Sequence, residues 1–458
     1  MKFKKYIFFV FAAFLLTQLQ SNILQAADET ALLPKVLKSD QEEIIKDTPS
    51  HVGIGLGEWD SVEFAADGKT LLGVFKPRGE YSKYNDVVAL LIDPNDLLNF
   101  KEVQMPHSNM QLQDIYGYGF SADSKLLSLG SAFTTAIKGL QFFDVKTGEQ
   151  LFDIKLDKKN ATYSAFSFSQ SGKLFFVDEA VNSGPKYYFN ELIYKISADE
   201  KSAENLGLVN KAGQGLTFSL DEKRAYLTLT DGKWIILDLE SNRSEQIKME
   251  LDGPLAVIKG KDGNILICFV LNQNSDELLV SAFNENSLNP KSALYNLSLK
   301  GVKYGFGSSG KAILLRDHKS NHWIFVSKTA KTDDGKTILS VQVFNAEDGK
   351  ETKTLKIPLS PTVGSRYQYE TKVATFENTP FFAVAQEEQG IFEVWNYLKG
   401  EKVAELEYGK TSSDAKEMKR IARSTSANAL FLGAITYSRK ELSKLLVWDL
   451  SGLKSKME

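Results

Sequence analysis

Short stretches in which apolar and polar side chains alternate recur along the chain, each closing on a small polar turn. In Gly215-Leu216-Thr217-Phe218-Ser219 the alternation has a period of two. Ala225-Tyr226-Leu227-Thr228-Leu229-Thr230 and Trp234-Ile235-Ile236-Leu237-Asp238-Leu239 follow after tight turns. A period of two over five or six residues, bounded by Asp-Gly and similar turns, predicts antiparallel strands joined as hairpins. Two phrases then repeat in fixed order. The first is strand, polar turn, strand: Phe64-Ala65-Ala66-Asp67-Gly68-Lys69, Phe120-Ser121-Ala122-Asp123-Ser124-Lys125, Phe168-Ser169-Gln170-Ser171-Gly172-Lys173 and Phe218-Ser219-Leu220-Asp221-Glu222-Lys223. Degenerate copies stand at Lys261-Asp262-Gly263-Asn264, Ser308-Ser309-Gly310-Lys311, Glu377-Asn378-Thr379-Pro380 and Ser426-Ala427-Asn428-Ala429. The second phrase is an apolar strand ending at Asp93, Asp144, Ser197, Asp238, Asn284, Asn345, Asn396 and Asp449, with separations of 51, 53, 41, 46, 61, 51 and 53 residues.

Two phrases in order, eight times over, are an internal repeat, and a repeat of this length is one supersecondary unit stacked on its neighbours. After the second phrase, Asp144-Val145-Lys146-Thr147-Gly148, echoed at Asn345 to Gly349 and Asn396 to Gly400, leads into a fourth, more polar strand such as Glu149 to Ile154. At that spacing the Asp or Asn side chain accepts bonds from turn amides, and glycine takes positive φ without a Cβ clash. The expected fold is all-β: a β-propeller of four-stranded antiparallel blades, with eight blades. Seven is the alternative, because about ten extra residues between Lys311 and Asn345 interrupt the sixth unit. Only nine residues follow Trp448-Asp449, too few for a fourth strand. Ala31 to Leu37 precedes the first unit without a partner of its own. This N-terminal segment is expected to supply the outer strand of the last blade and close the ring. Ser39-Asp40-Gln41-Glu42 also reads as a capping box opening a short helix through Ile44-Ile45.

The Val447-Trp448-Asp449 and Phe64-x-x-Asp67-Gly68-Lys69 phrases resemble those of the WD-repeat superfamily of β-propellers, across essentially the whole chain after its N-terminal segment. The Gly-His pair of many such repeats is absent, and Trp holds the signature position only at Trp395 and Trp448. The resemblance implies a rigid interaction platform more often than an enzyme, although fold alone does not fix function.

Composition narrows the setting. Met1-Lys2-Phe3-Lys4-Lys5 followed by the apolar run Tyr6 to Leu16 has the layout of a secretory signal peptide over residues 1–27, leaving 28–458 as a single propeller domain. The run is too short to span a bilayer. Leu24 or Gln25 stands where cleavage after Ala26 or Ala27 calls for a small residue. Residues 28–458 carry 52 basic and 58 acidic side chains, a net of −6, which gives no global attraction to nucleic acid or to an anionic membrane. The one cysteine, Cys268, lies in the apolar strand Ile265 to Val270 and is expected to be buried and inert. An exported chain without disulfides points to the bacterial periplasm or exterior.

Motifs of catalysis are weak. Gly305-Phe306-Gly307-Ser308-Ser309-Gly310-Lys311-Ala312 matches Gly-x-Gly-x-x-Gly and nearly matches a phosphate-binding loop, but a strand follows it where a helix is needed. Asp317, His318 and His322 offer too few ligands for a zinc centre and read as a turn between strands. The Asp144-to-Gly148 turn is similar to quinoprotein repeats, yet Phe152, Thr354 and Ala404 hold the tryptophan position, and nothing specifies a quinone. No Gly-x-Ser-x-Gly elbow is present. No cofactor and no metal are expected.

Loop length carries more. Between second and third strands most units spend a few residues, as in Thr230-Asp231-Gly232-Lys233. Three spend many: Lys76 to Asp86, Asp178 to Asn190 and Ala434 to Lys444. Equivalent loops of a propeller share a face, and these three hold tyrosine and arginine, residues enriched at interface hot spots. The expectation is an exported, non-enzymatic scaffold that binds another envelope or secreted protein through Arg78, Tyr81, Tyr84, Tyr187, Tyr188, Tyr437 and Arg439. The rivals are an envelope hydrolase or lyase, and a small-molecule or glycan sensor, each using the central pore.

Overall fold

The structure is a computed structural model that describes residues 35–38, 57–77, 88–103, 115–131, 139–155, 161–182, 187–229, 233–247, 254–272, 277–288, 290–300, 302, 310–360, 373–386, 388–408, 417–423, 430–437 and 444–457. Among them every sheet is antiparallel and most run in chain order. The first unit pairs Gly57–Phe64, Leu71–Pro77, Val88–Asp93 and Asp96–Glu102; the second pairs Ile115–Phe120, Leu126–Ser131, Gly139–Asp144 and Gln150–Lys155. The third and fourth form one sheet from Ala161–Phe168, Leu174–Asn182, Tyr187–Ile196, Ala203–Phe218, Arg224–Leu229, Trp234–Asp238 and Arg243–Ile247. Pro254–Gly260, Gly263–Asn272, Glu277–Asn284 and Tyr295–Lys300 make the fifth. Gly310–Arg316, His322–Lys331, Thr337–Asn345 and Glu351–Pro358 make the sixth, and Val373–Thr375, Phe381–Gln386, Ile391–Asn396 and Glu401–Glu407 the seventh. The last sheet orders Lys35–Lys38 beside Lys444–Asp449, then Phe431–Tyr437 and Glu417–Arg423. Its N-terminal strand pairs from Lys35 opposite Val447 to Lys38 opposite Lys444.

Counted by continuous hydrogen bonding, the described residues form a propeller of seven blades, the alternative that the sequence left open, and not the eight that the repeat predicts. The reason is local. Ala203–Phe218 is one unbroken sixteen-residue strand that ends the third unit and opens the fourth, fusing the two into a seven-stranded sheet. Its first part pairs with Tyr187–Ile196 and its last part with Arg224–Leu229, with register shifts that let it bend between them.

Neighbouring units pack through apolar clusters. Leu72, Leu91 and Val103 meet Leu127 and Phe143 between the first two. Phe142 meets Phe175 and Tyr194 between the next two. Trp59, Phe64 and Val88 meet Phe431, Ile435 and Leu445 between the first and last. Side chains such as Leu71, Phe142, Val394 and Trp448 lose all contact with water, and burying each Leu, Val or Phe stabilises the fold by about 2 kcal/mol.

Turn chemistry follows the repeat. Asp144 Oδ1 accepts from Thr147 N at 2.6 Å, and Asn396 Oδ1 from Leu398 N and Lys399 N at 3.0 Å each. Gly148, Gly349 and Gly400 sit at φ of +79°, +70° and +79°. Two readings are corrected. The first turn of the sixth unit is Asp317 to Asn321, not Ser308 to Lys311: Gly310 and Lys311 already belong to the strand that precedes it. Asp178 to Asn190 is not a long loop, because the two strands continue in register to Asn182 opposite Tyr187. Residues 1–27 and the helix read near Ile44-Ile45 lie outside the described residues. No helix among the described residues is long and apolar enough to cross a membrane.

Candidate partner-binding face

In an antiparallel sheet running in chain order, first-to-second and third-to-fourth connections emerge at one end, and second-to-third and unit-to-unit connections at the other. Hydrogen bonds between successive turns show that units share one orientation. Asp67 N donates to Ser124 Oγ at 2.8 Å, linking the first turns of units one and two. Ser171 N and Oγ donate to the two Glu222 carboxylate oxygens at 2.8 and 2.6 Å, linking three and four. Lys125 Nζ reaches Glu200 Oε1 at 3.0 Å between two and three.

The two ends differ in build. At the turn end, strands are joined by steps such as Gly260 to Gly263, Asp93 to Asp96 and Arg316 to His322, with longer ones from Asn284 to Tyr295 and from Arg423 to Phe431. At the other end the chain runs from Lys38 to Gly57, Pro77 to Val88, Glu102 to Ile115, Lys300 to Gly310 and Pro358 to Val373. The sequence reading weighed only second-to-third loops and so missed the unit-to-unit connections, the longer set. Their signal was present as spacing between one unit's fourth strand and the next unit's first.

The first and last units bring the strand ends that flank two of the candidate segments to one end of the molecule. Phe64 stacks on Phe431 with ring centroids 5.9 Å apart, each beside its own first turn. Further along the same cluster, Trp59 and Val88 meet Ile435 and Leu445. Pro77 and Val88, which flank one loop, therefore lie at the same end as Tyr437 and Lys444, which flank the other. Tyr437 is the last residue of its strand, opposite Glu417. Tyr187 and Tyr188 open the third strand of the third unit, opposite Asn182 and Val181, at this same end. Arg78, Tyr81, Tyr84 and Arg439 lie outside the described residues.

Other candidate chemistry is absorbed by the fold. Asp317 Oδ1 accepts from Lys319 N and Asn321 N, and Oδ2 from Asn321 Nδ2 and Trp323 Nε1, at 2.8 to 3.0 Å. Burial pushes this carboxyl up, but the Asn321 and Trp323 donors and the turn amides outweigh burial and hold it below its ordinary value. It is a turn carboxylate. Burial, and then the nearby Arg316, lower His322 and keep it neutral. Cys268 is fully buried, and burial raises its thiol. Among the described residues, no group of three or more His, Cys, Asp or Glu is placed to hold a metal ion.

Compared by sequence, the chain matches no family model and no curated protein. Among solved structures it is similar to hydrazine synthase of Kuenenia stuttgartiensis, at 13% identity over 72% of this chain and 95% of that one, with a TM-score of 0.45. It is similar to dihydro-heme d1 dehydrogenase NirN in complex with DHE at 13% identity, over 78% and 67%, with a TM-score of 0.47. It is also similar to the Cps50 (Swd1) β-propeller domain of Myceliophteria thermophila at 11% identity, over 86% and 97%, with a TM-score of 0.40. Likeness at this level does not extend to activity, substrate or partner. Its antiparallel sheets, each packed on the next through apolar clusters, give the chain a β-propeller fold.

Proposed function

We propose that this chain is an exported, non-enzymatic scaffold of the bacterial envelope that binds another protein on the end where the long connections emerge. The unequal build of the two ends carries the reading. Loops set on a rigid framework are where binding residues concentrate, and sheets that hold them in place reduce the ordering cost of association. In this reading Arg78, Tyr81, Tyr84, Tyr187, Tyr188, Tyr437 and Arg439 form the contact surface, since tyrosine and arginine combine large contact area with directed hydrogen bonds. Residues 1–27 direct export and are removed. The Lys35–Lys38 strand closes the ring by completing the last sheet.

The test is capture from envelope extract on the immobilised protein, beside a variant with the seven residues changed to alanine. A protein held by the native form and lost by the variant supports the reading. Capture unchanged by the variant moves the surface elsewhere, and no specific capture removes the scaffold and turns attention to the pore.

A further inference from the structure

Three Asn-x-Ser/Thr triplets occur in the chain: Asn160-Ala161-Thr162, Asn242-Arg243-Ser244 and Asn296-Leu297-Ser298. In such a triplet the asparagine amide can accept an N-linked sugar when the segment stands at the surface of an exported protein. The fold separates the three. Asn160 lies outside the described residues. Asn296 sits in a strand opposite Ser281, and the Ser281 hydroxyl donates to its Oδ1 at 2.6 Å. The Ser298 hydroxyl donates to Glu277 across the same pair of strands. Amide and hydroxyl of that triplet are both engaged by the sheet.

Asn242 is built differently. It ends the turn that joins Trp234–Asp238 to Arg243–Ile247, at a φ of +53° that asparagine tolerates better than most residues. Every residue from Glu240 to Ser244 is exposed. Asp238 Oδ1 fastens the front of the turn by accepting from Ser241 N and Oγ at 2.7 Å each. Beyond it, among the described residues, neither the Asn242 amide nor the Ser244 hydroxyl has a hydrogen-bond partner. The amide rests against Gly207, where an added Cβ would come within 3.2 Å of Asn242 Oδ1. Arg243–Ile247 is the outermost strand of the seven-stranded sheet and pairs along one edge only. Its first residues can lift away while the rest of the sheet stays closed. Glu240, two residues before the asparagine, adds a charge. Its pair with Lys223 at 3.1 Å joins side chains that are 71% and 59% exposed, so it holds weakly and yields to another cation.

We propose that Asn242 is an acceptor for N-linked glycosylation, with Ser244 and Glu240 as the groups by which an oligosaccharyltransferase recognises it. The donor class is an oligosaccharide carried on a lipid pyrophosphate. Asn242 Nδ2 bonds to the anomeric carbon of the first sugar, and the bond from that carbon to the pyrophosphate oxygen breaks. The amide gives up one proton, the lipid pyrophosphate leaves with the electron pair, and nothing is oxidised or reduced. The turn joins a third strand to a fourth, so the glycan stands at the turn end, away from the long connections. The inference rests on the proposed export only for bringing chain and enzyme together in the cell. Purified components meet without export, so the two readings fail separately.

The test incubates the purified native protein with a bacterial oligosaccharyltransferase and its lipid-pyrophosphate oligosaccharide, beside a reference acceptor peptide. Modified peptides are then read by mass spectrometry. One glycan on the peptide holding Asn242 is expected, with the peptide holding Asn296 unmodified. Asn242→Gln and Ser244→Ala should abolish it. Ser244→Thr, which keeps a hydroxyl at the same exposed position, should retain it. Glu240→Gln should slow transfer by about fivefold, the upper end for one exposed ion pair. Modification of the reference peptide without modification of Asn242 overturns the proposal. Equal modification of Asn296 overturns the selection made by the fold, and equal rates in wild type and Glu240→Gln overturn the part given to the acid.

Discussion

Single residues of the repeat act mainly by shaping turns. At Gly148, with φ of +79°, an added Cβ would meet the Glu102 carbonyl oxygen at 2.9 Å. Left-handed strain and a backbone clash coincide there, and neither is relieved by turning a side chain. Gly148→Ala is expected to lower unfolding free energy by about 2 kcal/mol, read as a shifted denaturant midpoint at unchanged slope. The Asp144, Asn345 and Asn396 turns were legible because their bonds run to amides two or three residues away. Asp178, Glu179, Asn190 and Glu191 were not. Their polarity reads as loop, and only the cross-strand partners and the units on either side make them interior.

At the scale of elements, register decided what polarity could not. The hairpin of the third unit reaches Asn182 opposite Tyr187. The longest strand, Ala203–Phe218, contains Gly207, Gly213 and Gly215 at or beside its register shifts, where it bends within a continuous ladder. Lys35–Lys38 pairs with Lys444–Asp449 over four residues and covers that strand's outer edge. Removing residues 28–38 should therefore raise hydrogen exchange first in Leu445 to Val447, before the fifth and sixth units. Unchanged protection there would mean that the pairing adds nothing to ring closure.

For the whole molecule, the difference between its ends sets the expected direction of binding. Because Cys268 is fully buried, the native protein should not react with thiol reagents, and an introduced surface cysteine can be labelled selectively. Asp262 is exposed at the turn end and Asp333 at the opposite end. A bulky maleimide polymer on Asp333→Cys should block partner capture, whereas the same polymer on Asp262→Cys should leave it intact. Blockade from Asp262 alone would put the partner on the turn end.

The sequence by itself determined the propeller class, the four-strand unit and most turn positions, because alternation, Asx turns and positive-φ glycines are set by residues near each other in the chain. Only the tertiary structure decided that units three and four share a sheet, that the first unit packs on the last, and that four polar residues of one hairpin are core. Those outcomes depend on which distant strand lies alongside, and on whether a polar group's partner comes from its own turn or from across the sheet.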